Sequence, residues 1–492
     1  MTGLLPAAAA ERANLGVALR RAGKLDEAAG AYRQALGLAP DHAPLHNNLG
    51  SALHEAGRTE AAAECYRKAI VLAPDQIAAY HNLGSLLRDS GRLAEAEACF
   101  LPALLLAPHS PDLQGGRASL SLYQGRLDRA IAGWRAMIAL QPERADAYIN
   151  LAGARCQQGS LALAEQAYRL ALTLAPDHGE ARFNLSLLLL LTGRFAEGWP
   201  GYEERWKTRQ LAKERRSFSQ PQWRGEEAAG KTILLHAEQG FGDALQFCRY
   251  APLVKARGLR VLLEVQPPLH RLLASLEGCD RVVARGDALP PFDLHSPLMS
   301  LPLALGMKSL GDIPASIPYI RTEKRYSLPA SGRKVGVAWA GAPRADSPEQ
   351  AAFDRRRSLP DAALAQLLAV PDVQFVSLQK GRPASIGMID LMAGMADFAD
   401  TAALIAELDL VISVDTAIAH LAGAMGKPVW LLNRFDTDWR WLTDRPDTPW
   451  YPTMRIFRQC SPGDWAGLID DVVDALSRNR ASGLKPLQKN RD

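Results

Sequence analysis

The sequence predicts an all-helical superhelix followed by a pair of α/β domains, and three observations carry that expectation. A 34-residue period runs through the first two hundred residues. Short apolar strands alternate with helical stretches from Lys231 onward. The composition is that of an ordinary globular chain, 492 residues with 48% apolar and 22% charged side chains, which suits two or three domains. The formal net charge of +4 is small for this length and makes no case for a general nucleic-acid binder. Six cysteines are scattered without a CxxC pair, so neither a zinc site nor a disulfide framework is suggested and a reducing cytoplasm fits. The opening MTGLLPAAAAERAN lacks a basic region followed by a long apolar stretch, unlike a signal peptide. The longest apolar run, LSLLLLL at 185–191, is far shorter than the ~20 residues of a membrane span.

The repeats come first in the chain. Asparagine recurs at Asn14, Asn48, Asn82, Asn150 and Asn184, with Gly116 in the one missing register. Glycine keeps the same step from Gly23 through Gly57, Gly91, Gly125, Gly159 and Gly193, as does proline from Pro40 to Pro176. Each unit reads as an amphipathic helix, a glycine turn, a second helix such as LDEAAGAYRQALGLAP and a proline stop. Small residues such as Ala28 and Ala35 let the paired helices approach. No single unit can bury its apolar face alone, so stacking into a superhelix with a concave groove is obligatory. Six registers of this period match the tetratricopeptide (TPR) repeat; the array is expected over residues 9–212, its last repeat capping the stack. The asparagines have two readings. They are solvated or bonded within their own helices, or they form a ladder of amides that holds an extended peptide regardless of its sequence.

An aromatic and basic segment then breaks the pattern, and residues 213–230 are expected to be a linker. Beyond it, TILLH, RVLLEV, RVVA and FDL form one strand series and VGVAWA, VQFVSL, LVISV and PVWLL a second. Alternation of this kind means parallel sheets wrapped by helices. Two Rossmann-like domains are expected, over 231–330 and 331–478, facing each other across a cleft, with a polar, disordered tail at 479–492.

The glycine turn EQGFGDALQF, Glu238 to Phe247, follows the first strand. A dinucleotide fingerprint would need a third glycine where Leu245 stands, and although Glu264 closes the next strand as a ribose-binding acid would, Asp243 would repel a pyrophosphate seated there. The stretch LVISVDTAIAHLAGAMGKPVWLL offers a better anion site, because the N–H groups after Asp415 open a helix. Asp415 can cap that helix, and Thr416 and His420 share one face of it. A capped helix with a core histidine is the bland alternative.

These motifs resemble a known family. DTAIAH is similar to the nucleotide-diphosphate motif of the bacterial ADP-heptose:lipopolysaccharide heptosyltransferases, and GFGD to their first-domain motif ending in the catalytic aspartate. The resemblance implies a GT-B arrangement of two Rossmann-like domains after the TPR superhelix, with Asp243 as general base. It implies donor diphosphate binding by Asp415, Thr416, Ala417 and His420; the family has glycine where Ala417 sits. RRRSLP resembles its basic segment and puts Arg357 on the position of the diphosphate-binding cation, a role that suits a guanidinium fork; Arg355 and Arg356 read equally as a solvated charge run. The layout with EGWPGYEERW, SLQKG, DWRW and TPWYP resembles bacterial TPR-containing glycosyltransferases, some of which modify flagellin, and the repeat array resembles that of O-linked N-acetylglucosamine transferase.

The expected function is therefore transfer of a sugar from a nucleotide-sugar donor to a hydroxyl of a protein acceptor held in the TPR groove. The expected acceptor contacts are Asn14, Asn48, Asn82, Asn150, Asn184, Gly240 and Gly242. Gln379 and Lys380, after VQFVSL, are donor contacts or a plain loop. No metal or other cofactor is expected, because cations and a helix end serve the diphosphate; the DTD triplet, Asp436 to Asp438, is too short a match to a metal motif to argue otherwise. His236, Glu238 and His295 are expected at strand ends facing the cleft, and Trp430, Trp439, Trp441, Trp450 and Tyr451 to stack on a ligand or pack against the linker. The enzyme is expected in the cytoplasm, without nucleic-acid partners; self-association into a homo-oligomer is compatible with the layout, and inversion is implied by the family alone. Two rival functions remain: a non-catalytic TPR scaffold, and a transferase acting on a glycan or lipid-linked acceptor.

Overall fold

A computed structural model describes residues 5–208, 210–328, 332–341 and 348–478. The tail expected at 479–492 lies outside them. Among the described residues, no helix is long and apolar enough to cross a membrane.

Helices pair along the repeats, beginning with Ala7–Arg21 against Leu25–Leu38 and Ala43–Glu55 against Thr59–Leu72. Each turn between partners is made by one of the periodic glycines, whose φ of 74–80° places it in the left-handed region that side chains with a Cβ avoid. A second glycine series sets the helix separation. A Cβ at Gly16, Gly50 or Gly84 would stand 2.7 Å from the ring of Tyr32, Tyr66 or Phe100, and these rings are fully or almost fully buried. Gly116, the missing asparagine register, has the same cause: a Cβ there would lie 2.7 Å from Phe100, so no asparagine fits. Neighbouring repeats are further tied by exposed ion pairs such as Arg58 to Asp26 at 2.7 Å and Arg144 to Asp112 at 2.6 Å.

The chain divides into two compact units, and the division falls at residues 176 and 177 rather than after residue 212. The sixth helix pair, Gly179–Leu191 and Phe195–Tyr202, belongs with the α/β half. The reason is aromatic packing: Trp199 lies edge-on to Trp439 at 5.3 Å and to Phe247 at 6.4 Å, and Phe195 meets Trp450 at 6.4 Å. Arg205 completes the joint. It is wholly buried, grips Glu238 through Nε at 2.9 Å and Nη2 at 3.2 Å, and donates to Ser300 Oγ and Glu203 Oε1 at 2.7 Å each. A buried cation is tolerated because every direction of its fork meets an acceptor. Within the expected linker, Trp223 is fully buried and its N–H bonds His295 O at 2.8 Å.

Among the described residues, the α/β half holds two all-parallel sheets. The first contains β1 (Thr232–His236), β2 (Arg260–Val265), β3 (Arg281–Ala284) and β4 (Leu294–Pro297) in the order β3-β2-β1-β4. The second contains β5 (Arg333–Ala338), β6 (Val373–Ser377), β7 (Ile389–Asp390), β8 (Leu410–Val414), β9 (Val429–Asn433) and β10 (Met454–Arg458) in the order β10-β9-β8-β5-β6-β7. β8 is buried along its whole length, as expected of a parallel strand covered on both faces. From β5 the chain builds outward to β6 and β7, and from β8 to β9 and β10. The order reverses between β5 and β8, and the crevice beyond the carboxyl ends of such strands is where α/β sheets bind ligands.

Candidate active site

Gly240 is the N-cap of the Phe241–Phe247 helix that follows β1. Asp243, three residues on, turns Oδ2 back to accept from Gly240 N–H at 2.8 Å, satisfying one of the orphan donors of a helix start. Its other oxygen, Oδ1, is held by Arg440 from the turn after β9. Gly242 cannot carry a side chain: a Cβ would lie 2.8 Å from the His420 ring and 3.6 Å from Ala417 Cα. The glycine turn of the first sheet therefore abuts the Ala417–Ala424 helix of the second, bringing the two sequence motifs to one place.

At the end of β8, Thr416 is the N-cap of the Ala417–Ala424 helix, and no side chain caps it. This corrects the expectation that Asp415 does so. The Thr416 hydroxyl instead pairs with Ser413 Oγ at 3.0 Å. Burial and the Asp438 carboxylate push the Asp415 pKa up, against the pull of Arg440, Arg357 and Arg434. Arg357 closes the crevice from the β5 side: Nη1 donates to Asp415 O at 3.2 Å and Nη2 pairs with Asp354 at 2.5 Å. Gly341 makes this possible, since a Cβ there would stand 2.2 Å from the guanidinium. Nε of Arg357 is buried without a hydrogen-bond partner among the described residues.

Three expected donor contacts have partners within the protein. His420 is buried, shares a 2.9 Å hydrogen bond through Nδ1 with the Tyr451 hydroxyl and stacks on Trp441 at 5.1 Å. Burial, with Arg440 and Arg249 nearby, pulls its pKa well below the ordinary histidine value. Gln379 is buried and its Oε1 accepts from the backbone N–H of Trp339 at 3.2 Å and Ala340 at 2.9 Å, fixing the loop after β5. Lys380 is exposed and reaches Met395 O at 3.3 Å.

In the first sheet, His236 and His295 face each other at 3.3 Å, and burial drives the His236 pKa down to about 3. Glu238 turns inward to Arg205 instead of facing the cleft. Glu264 pairs with Arg216. Of the repeat asparagines, Asn14 and Asn150 are exposed, while Asn48, Asn82 and Asn184 are half-buried. Asn82 donates to Asn47 Oδ1 at 2.9 Å, so that rung bonds between repeats.

The DTD carboxylates are engaged by arginines. Asp436 pairs with Arg356 at 3.1 Å and Arg434 at 3.3 Å, and Asp438 with Arg440 at 2.9 Å. Among the described residues, no group of three or more histidines, cysteines and acids is placed to share a cation. The tryptophans pack inside the molecule: Trp430 meets Phe457 at 5.2 Å and Trp439 meets Trp450 at 6.0 Å. Arg440 is the site residue that reading by motif did not single out; its only signal was its place in DWRW.

A repeat array joined to two parallel sheets with paired helix starts defines a class of TPR proteins bearing an α/β domain pair. Residues 14–77 and 116–178 match one tetratricopeptide-repeat family, 65–98 match a second, and 381–433 match glycosyltransferase family 9 (heptosyltransferase). The stretch that matches the glycosyltransferase family 9 model contains Asp415, Thr416, Ala417 and His420. Protein FlbA of Caulobacter vibrioides is 29% identical over 343 residues, 60% of this chain and 55% of FlbA, so the chain spans about half the length of that relative. Among solved structures, a thermophilic TPR protein of Thermus thermophilus is 24% identical over 37% of this chain and 100% of its own, with a TM-score of 0.34. YrrB, a TPR protein with an unusual peptide-binding site, is 20% identical over 35% of this chain and 88% of its own, with a TM-score of 0.29.

Proposed function

We propose that this protein transfers a glycosyl group from a nucleotide-sugar donor to a hydroxyl of a protein acceptor that the repeats recruit. The observation that carries the reading is the meeting of the Asp243 turn with the Asp415–Ala417 turn, where Gly242 leaves room only for His420. The donor diphosphate lies at the β5/β8 crevice, against Arg357 and the N–H groups that open the Ala417–Ala424 helix. Fixed cation and helix start stabilise the charge that develops on the leaving nucleotide, which is why the reading needs no metal. Asp243 accepts the proton of the acceptor hydroxyl as its oxygen forms a bond to the anomeric carbon and the bond from that carbon to the phosphate oxygen breaks. General-base help of this kind contributes about 10²–10⁴ in rate. A single displacement inverts the anomeric centre.

Thermal unfolding against UDP, GDP, ADP and CMP, and the matching sugar conjugates, tests the donor side. One nucleotide family should raise the transition, by roughly 2.7 kcal/mol of linkage at a hundredfold excess over Kd. The shift should vanish in Arg357→Ala and persist in Asp243→Asn, while transfer is lost in both. Absence of a shift with every nucleotide counts against the reading.

A further inference from the structure

We propose that Arg440 is a positioning residue for the transfer reaction, holding Asp243 in register with the donor-bearing edge of the second sheet; the inference rests on the assignment of Asp243 as the base. Arg440 is only 8% exposed and sits on the short turn Trp439–Trp441, beyond β9. Its guanidinium uses three directions at once. Nε donates to Gln246 Oε1 at 2.9 Å, Nη1 to Asp438 Oδ1 at 2.9 Å, and Nη2 to Asp243 Oδ1. Asp243 and Gln246 belong to the helix after β1, whereas Asp438 belongs to the loop after β9, so one side chain spans both sheets.

The details suit aim more than bulk stability. The Asp438 carboxylate that balances Arg440 also accepts the Arg440 backbone N–H at 3.0 Å, so the turn and the guanidinium are fixed by the same oxygen. Below lies the Trp439 ring at 4.4 Å. A lysine could not replace this arrangement, because an ammonium lacks the planar fork that meets three acceptors in set directions. With Gly240 N–H on Oδ2 and Arg440 on Oδ1, both carboxylate oxygens are pinned, and each retains a lone pair for the acceptor hydroxyl. The rotamer of Asp243 is therefore set jointly by its own helix start and by an arginine of the domain that binds the donor. Bases and substrates held in this way react fast because misplacement by ~1 Å costs on the order of 10² in rate.

The test compares full-length wild-type protein with Arg440→Gln, Arg440→Lys and Asp243→Asn. The probes are UDP-, GDP-, ADP- and CMP-sugars, with water as the acceptor hydroxyl and nucleotide release by hydrolysis as the readout. Arg440→Gln should lower kcat by about 10- to 100-fold with the donor KM within about twofold, and amide exchange should quicken from Gly240 to Ala244 but not in the second sheet. Arg440→Lys, which keeps the charge, should recover little of kcat, and it carries the same comparison if Arg440→Gln unfolds. If Asp243→Asn abolishes release while both Arg440 variants keep wild-type kcat, the positioning role is overturned and the base assignment stands. If Asp243→Asn keeps wild-type kcat, the base assignment falls and the inference falls with it. Wild-type protein that releases nucleotide from no donor overturns both.

Discussion

Gly341 and Arg357 illustrate how much of the site hangs on single atoms. The glycine leaves the space that the guanidinium occupies, and a methyl there would stand 2.2 Å from it. Because that guanidinium is the end of a flexible side chain, Gly341→Ala should leave the fold intact and displace Arg357 from Asp415. A lost charge-assisted contact is worth about 1.5–3 kcal/mol, so calorimetric titration should find nucleotide affinity weaker by roughly 10- to 100-fold. Two buried histidines pull the pH response one way, and Glu238, which burial pushes up to about 7, pulls it the other way. His236 is held near a pKa of about 3 and His420 well below its ordinary value, whereas both return to about 6.5 on unfolding. Below that value the unfolded chain binds more protons at these two groups, so their contribution to stability falls as pH drops, by up to about 1.4 kcal/mol per pH unit for each histidine. The His236 contribution is read by difference: in urea unfolding from neutral to mildly acidic pH, His236→Gln should lose stability less steeply than wild type, with the Glu238 contribution common to both. The residues of the Asp415 turn could be read from the motif; the commitment of Gln379 to backbone amides could not, because its partners lie some 40 residues earlier.

At the level of the element, the repeats follow from local spacing and the sheets partly so. Turn glycines and packing glycines make different predictions. Gly57→Ala places a side chain at a φ of 76° and should cost ~1–2 kcal/mol. Gly84→Ala drives a methyl to 2.7 Å from the buried Phe100 ring, and overpacking of this kind costs ~1–3 kcal/mol. Thermal scans of both variants should show the loss in the repeat transition only. Eight strands correspond to runs read from sequence, FDL being shifted toward Leu294–Pro297. β7 escaped because it has only two residues, and β10 because exposed Arg455 interrupts its apolar run.

Taken as a whole, the molecule breaks at residues 176 and 177, and this makes truncation informative. A chain beginning at Asp177 keeps Phe195, Trp199, Tyr202 and Arg205 and should fold, unfold cooperatively and bind nucleotide. A chain beginning after residue 212 strips the partners of Trp439, Trp450 and Glu238 and should aggregate on expression; equal solubility of the two would refute this account of the joint. Periodicity, turn glycines and strand alternation are properties of neighbours along the chain, so the superhelix, the parallel sheets and the Asp243 and Asp415 turns were decided before folding. Which residues face each other was decided only by packing. Asp243 and Arg440 are 197 positions apart, and Arg249 and the Trp450 carbonyl 201, distances over which no spacing rule operates. Such pairs exist because two sheets and the last helix pair bury a common set of aromatic rings, and that burial brings the charged groups beside them into contact.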